Sequence, residues 1–201
     1  MTFDKLQKKK VTLLFMAVMC IVFVVDLMLS AYPISVEALI YGSGDGLLTR
    51  YGSLVNIAEM HFQYWRIVTC LFIHAGIPHL LVNLLALYIS GTALEGAKGS
   101  NRLTLVFMAS GISSSIINML STQGAVGASG AIYGVVCYLL LCRAITLKDR
   151  YSKIKFVVLV LYLILPNLSA STAIIAHIAG FLMGGICYLV EKKTKREELE
   201  V

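Results

Sequence analysis

Four polar side chains set in apolar stretches carry the chemistry that this chain can do. Ser129 lies in Gly127-Ala128-Ser129-Gly130, His177 in Ala176-His177-Ile178-Ala179-Gly180, and His79 and Asn83 stand four residues apart. A serine hydroxyl is a weak nucleophile until a neighbouring imidazole takes its proton, so these two types in contact make a nucleophile and its general base. The His79 and Asn83 side chains, with the Ser129 backbone N–H, would supply donors to the oxyanion that such an attack develops. The plain alternative is structural. Ser129 would then bond a carbonyl one turn earlier, His177 would be a buried histidine satisfied by a neighbour, and His79 and Asn83 would be interhelical glue.

The elements carrying these residues decide between the two. The chain has 201 residues, 58% hydrophobic and only 14% charged, against about 25% charged in an ordinary soluble domain. Its mean hydropathy is +0.83. A membrane is the simplest solvent for it. The net charge of +6 does not form a nucleic-acid patch, because the basic residues cluster between apolar segments. Cys20, Cys70, Cys137, Cys142 and Cys187 are scattered through apolar stretches without metal-ligand spacing and read as small buried hydrophobes. Lys8-Lys9-Lys10 before Val11–Val25 imitates a secretory signal, but no A-x-A site follows, so the segment reads as a first membrane helix.

The expected fold is an all-α bundle of six spans: Val11–Leu29, Ile77–Leu94, Leu103–Leu120, Val126–Cys142, Ile154–Leu168 and Ala173–Val190. Residues 1–10 form a short basic tail, 11–190 the membrane domain, and 191–201 a charged tail. Of the 17 basic residues, all but Arg50 and Arg66 then fall on one side, which places both ends in the cytoplasm. The outer loop over residues 30–76 carries Tyr32, Tyr41, Tyr51, Phe62, Tyr64 and Trp65, an aromatic content suited to the lipid–water interface.

Depth follows by counting from the cytoplasmic charges. Ser129 precedes Arg143 by 14 residues and His177 precedes Glu191 by the same 14. At 1.5 Å per residue both lie roughly 21 Å above the inner boundary, inside a ~30 Å core. His79 and Asn83 precede Glu95 by 16 and 12 residues and bracket that level. Spaced i, i+4, they share a helix face. His74 is expected near the outer surface, outside this layer. His177, Gly180 and Gly184 form one stripe, and Gly127, Gly130 and Gly134 a matching one. Small residues let helix backbones approach closely in lipid, so the two stripes would bring Ser129 against His177.

These residues resemble a known family. Gly127-Ala-Ser129-Gly130 resembles the G-x-S-G motif of rhomboid intramembrane serine proteases, and Ala176-His177-Ile-Ala-Gly180 its histidine helix. Trp65-Arg66 followed by His74, His79 and Asn83 is similar to the family's first loop and second helix. Tyr133 falls where the family has a tyrosine near the catalytic histidine. The resemblance spans about Tyr64 to Val190, and the tail before it is too short for the soluble domain that some relatives carry. It implies an intramembrane serine endopeptidase, with Ser129 as nucleophile, His177 as general base and acid, His79 and Asn83 at the oxyanion, and Tyr133 and Gly127 in support. Because no Asp or Glu accompanies His177 in the membrane, a Ser–His dyad is expected, as the family uses. No cofactor, metal or nucleic acid is expected. The partners are transmembrane protein substrates and membrane lipid, in a multi-pass cell-membrane protein whose site opens to the extracytoplasmic side through a polar cavity above Ser129.

Remaining residues have plainer readings. Asp26 is read as an interfacial carboxylate, Ser113–Ser115 and Asn118 as helix packing, and Glu95 with Arg102 as an inner-surface pair or a solvated loop. A lipase-type G-x-S-x-G elbow does not fit, since Ala131 replaces its last glycine and no strand precedes it. His74 and His79 do not suit a metal, being i, i+5 across Pro78. The competing class is a non-catalytic rhomboid-like protein that binds client transmembrane helices. A small transporter would more often show intramembrane charge pairs or broken repeats, and neither is visible.

Overall fold

A backbone surrounded by lipid must satisfy its own hydrogen bonds, and apolar runs of this length do so as helices. The computed structural model describes residues 9–30, 35–42, 46–120, 124–142, 147, 149–167 and 173–200. They form α1 (Lys10–Met28), α2 (Val36–Tyr41), α3 (Leu47–Gly52), α4 (Arg66–Thr69), α5 (Gly76–Lys98), α6 (Ser100–Asn118), α7 (Ser129–Leu141), α8 (Arg150–Ile164) and α9 (Ala173–Glu200). Short 3₁₀ turns lie at Ile57–Glu59, Cys70–Phe72 and Leu165–Asn167. The only strand-like pairing among the described residues is an isolated bridge between Leu54 and Ala125. The protein is all-α. Tyr32, Lys5, Lys8, Arg143, Lys148 and Leu168, used in the sequence reading, lie outside the described residues.

Each expected apolar segment carries a helix. By length and composition, Lys10–Met28, Gly76–Lys98 and Ile174–Glu198 could each cross a membrane. Helix α7 is shorter, at 13 residues, roughly 20 Å long against a ~30 Å hydrocarbon core. It is apolar all round, and every residue from Gly130 to Leu139 is buried. Such a helix belongs at the centre of a bundle, where α5, α6 and α9 surround it. Outward faces are apolar instead. Ile178, Leu182, Ile186 and Leu189 of α9, and Ile154, Val157, Leu161 and Ile164 of α8, are all exposed.

Several charged residues have partners that differ from those expected. Asp26, near the end of α1, is buried in the protein, and its carboxylate accepts from the Thr49 N–H (3.0 Å) and hydroxyl, capping the start of α3. Glu95 does not pair with Arg102. It accepts from the N–H groups of Val11 (2.9 Å) and Thr12 (3.0 Å) and from the hydroxyls of Thr12 (2.7 Å) and Ser100 (2.6 Å). It thus satisfies the orphan donors at the start of α1, a use that neither a surface pair nor a solvated loop describes. Arg102 pairs with Glu191 at 3.3 Å, beside Lys98 and Lys195 at 3.0 Å each and the Tyr138 hydroxyl.

The loop between α1 and α5 is built rather than draped. Phe62, Tyr64, Trp65, Tyr51 and Tyr41 are exposed, as expected of interfacial aromatics. Arg66 is buried and donates to the carbonyls of Ser53 (2.8 Å) and Arg50 (3.0 Å) and to Gln63 Oε1 (2.6 Å). The loop in turn holds the segment before α7. Leu54 and Ala125 exchange backbone hydrogen bonds of 2.9 and 3.1 Å, and the Gly127 N–H donates to the Cys70 carbonyl at 2.8 Å.

Candidate active site

Ser129 is the first residue of α7, three residues later than the expected start at Val126. The N–H groups of a first helical turn have no partner inside the helix and point outward as donors. Gly127 therefore does not belong to the glycine stripe; it lies in the loop ahead of the helix, at φ +115°. A Cβ there would stand 2.7 Å from His79 Cε1 and 2.9 Å from His79 Nε2. Glycine is required twice over, by the positive φ and by the imidazole lying against its backbone. This contact sets His79 two residues from Ser129.

The α7–α9 seam is real at its other positions. A Cβ on Gly180 would collide with the Gly130 carbonyl, and one on Gly184 with the Gly134 carbonyl. On the other side, Gly130 and Gly134 accommodate Ser114 and Ser110 of α6. With the backbones this close, His177 on α9 reaches Ser129 directly: Nε2 and Oγ are 2.9 Å apart. Tyr133, one turn below Ser129, stacks on the imidazole with centroids 4.2 Å apart and planes within 12°.

Asn83 is buried on α5. Its Nδ2 donates to the His79 carbonyl (2.9 Å), and its Oδ1 accepts from the Tyr162 hydroxyl (3.0 Å). One further Nδ2 hydrogen remains for another acceptor. His74 departs from expectation. It is buried, not superficial, with its ring 5.2 Å from that of His79 and its Nδ1 3.3 Å from the Phe72 carbonyl.

Asn167, which no motif in the sequence marks, touches His177. Its Oδ1 lies 2.9 Å from His177 Nδ1, and its Nδ2 lies 2.9 Å from the Tyr133 hydroxyl. A signal existed. Asn167 follows Arg150 by 17 residues, so the depth count run upward places it roughly 25 Å above the inner boundary, close to the layer of Ser129 and His177.

A cavity of about 210 Å³ opens beside the pair, lined in part by Cys70, Ser114, Ser115, Asn118, Ser129 and His177. Ser115 and Asn118 thus do more than pack helices. Asn118 Oδ1 is buried without a hydrogen-bond partner, and the Ser115 hydroxyl faces Cys70 Sγ at 3.3 Å. The cavity is of mixed lining, with several polar side chains, and is roomy enough to admit water to the serine.

Known proteins are similar to this chain over most of its length. The Rhomboid domain family matches residues 61–192. RHOMBOID-like protein 2 of Arabidopsis thaliana is 34% identical over 152 residues, 72% of this chain and 48% of that protein. The putative rhomboid protease YdcA of Bacillus subtilis is 30% identical over 151 residues, covering 70% of this chain and 75% of the relative. The rhomboid protease GluP of the same organism is 40% identical over 94 residues, 46% of this chain and 18% of its own length. The matched region is thus about half the length of the plant relative and under a fifth of GluP.

Proposed function

The chain belongs to the rhomboid family of membrane proteins, and from that premise we propose that it is an intramembrane serine endopeptidase. The observation that carries the reading is the 2.9 Å contact between His177 Nε2 and Ser129 Oγ, made inside a bundle whose outer faces suit lipid. His177 takes the hydroxyl proton as Oγ bonds to the carbonyl carbon of a peptide in or near a transmembrane segment. The resulting oxyanion receives the Ser129 N–H and the side chains of His79 and Asn83. As the intermediate collapses, the C–N bond breaks and His177 gives its proton to the leaving amine. Water then enters by the cavity beside Ser129, gives a proton to His177 as its oxygen bonds to the acyl carbon, and His177 returns that proton to Oγ as the ester C–O bond breaks. The reaction draws only on the protein's own groups and water.

The proposal extends to topology. Six spans within residues 11–190 cross the cell membrane, with the 1–10 and 191–201 tails in the cytoplasm and the site opening outward; the one-sided distribution of basic residues supports this. Labelling by a serine-directed phosphonate, beside a Ser129→Ala control and cleavage of a single-span substrate, tests the function. Equal labelling of both proteins, with no cleavage by either, would leave a non-catalytic binder of client helices as the better reading.

A further inference from the structure

We propose that Asn167 is a positioning residue that fixes the tautomer of His177, a role that rests on the proteolytic reading above. The argument is one of donors and acceptors. Asn167 Nδ2 lies 2.8 Å from the Leu163 carbonyl, which can only accept, so the amide nitrogen must face it. The Tyr133 hydroxyl directs its single proton to the carbonyls of Tyr162 (3.1 Å) and Leu163 (3.0 Å), leaving its oxygen to accept from the same Nδ2. The amide orientation is therefore determined by its neighbours, and Oδ1 is what remains for His177, 2.9 Å from Nδ1. An amide oxygen only accepts, so Nδ1 carries the hydrogen. In a neutral imidazole the other nitrogen is then bare. That nitrogen is Nε2, the one facing Ser129.

Without this acceptor, nothing chooses between the two neutral tautomers, and the one protonated on Nε2 cannot take the serine proton. An aspartate would also orient the ring, as in soluble serine proteases. In a membrane a buried carboxylate carries a heavy desolvation penalty, whereas the amide orients the ring without a charge. The orienting group comes from the turn that ends α8, while the stacking ring comes from α7. The imidazole is thus held by its edge and its face from two different elements.

Two variants separate this role from a tie that merely anchors the turn. Asn167→Asp and Asn167→Leu both remove the donors to Leu163 and Tyr133, but only Asp keeps an acceptor for Nδ1–H. Turnover, KM and melting of both are measured on the full chain in detergent, together with ¹⁵N signals of His177 in the unsubstituted protein. The expected result is protonated Nδ1 and bare Nε2 in that protein. Asn167→Leu should lose roughly 10²-fold in kcat, given the larger loss seen when a triad histidine takes the wrong tautomer. KM should change little, and Asn167→Asp should turn over at least severalfold faster than Asn167→Leu. Protonated Nε2 in the resting protein, or equal turnover of the Asp and Leu variants, overturns the proposal. Should the unsubstituted protein neither cleave nor take up phosphonate, the proteolytic reading fails, and the ¹⁵N signals still decide the tautomer.

Discussion

Helices α8 and α9 both bear on His177, but they are attached to the bundle by opposite means. Helix α9 meets α7 backbone to backbone, with Gly180 and Gly184 seated on the carbonyls of Gly130 and Gly134. Helix α8 buries only Leu159 and Tyr162. Its C-terminal end is held by polar contacts: Tyr162 to Asn83, Tyr133 to the Tyr162 and Leu163 carbonyls, and Asn167 to His177. The seam sets the distance between Ser129 and His177 through close packing, which tolerates no added atom. The α8 attachment sets orientation through single hydrogen bonds, each worth about 1 kcal/mol. Distance and angle are thus controlled by different kinds of interaction, and substitutions should separate them.

The largest effect should come from removing what the seam brings together. Ser129→Ala and His177→Ala should each reduce cleavage of a single-span substrate to background, and the double variant should be no worse, because groups acting as one unit are strongly non-additive. Near-normal turnover by either single variant in detergent would falsify the assignment. Next comes the seam itself. Gly180→Val drives a branched side chain into the Gly130 carbonyl, an overpacking that costs about 1–3 kcal/mol or more. Melting temperature and activity should fall together, and a fully stable, fully active Gly180→Val protein would show that the backbones are not in contact.

Orientation should respond differently. Asn83→Ala removes one proposed oxyanion donor and should slow kcat by about 10²–10³, with a smaller change in KM; His79→Ala, measured alongside, should follow the same pattern. If turnover of the surviving protein is unchanged while melting drops, both residues are glue and leave the site. Tyr162→Phe removes only the hydroxyl that orients the Asn83 amide. About 1 kcal/mol of stability and a several-fold loss of kcat are expected, read by calorimetry and initial rates. The smallest effect sharpens the contrast from the other side. A Cβ on Gly185 meets only Cys137 Sγ at 3.6 Å and Leu141 Cδ1 at 3.7 Å. Gly185→Ala should therefore be neutral or stabilising by up to about 1 kcal/mol, although its neighbour Gly184 tolerates nothing.

Much of this was legible in residue order because helices convert sequence spacing into length and angle. The 1.5 Å rise placed Ser129 and His177 at one depth, and the 100° turn per residue aligned Gly180 and Gly184 beneath His177. Those quantities belong to one helix at a time. Wherever two elements had to meet through irregular backbone, sequence alone was insufficient. The loop before α7 turned Gly127 from a seam residue into the seat of His79, and the turn after α8 swung Asn167 onto Nδ1 of His177. Asp26, Glu95 and Arg102 likewise took partners decided by where helix ends came to rest. Periodicity carries the depth and face of a residue on its own helix; the rotation, tilt and loop path that select its partner on the next are tertiary, set only when all the helices pack at once.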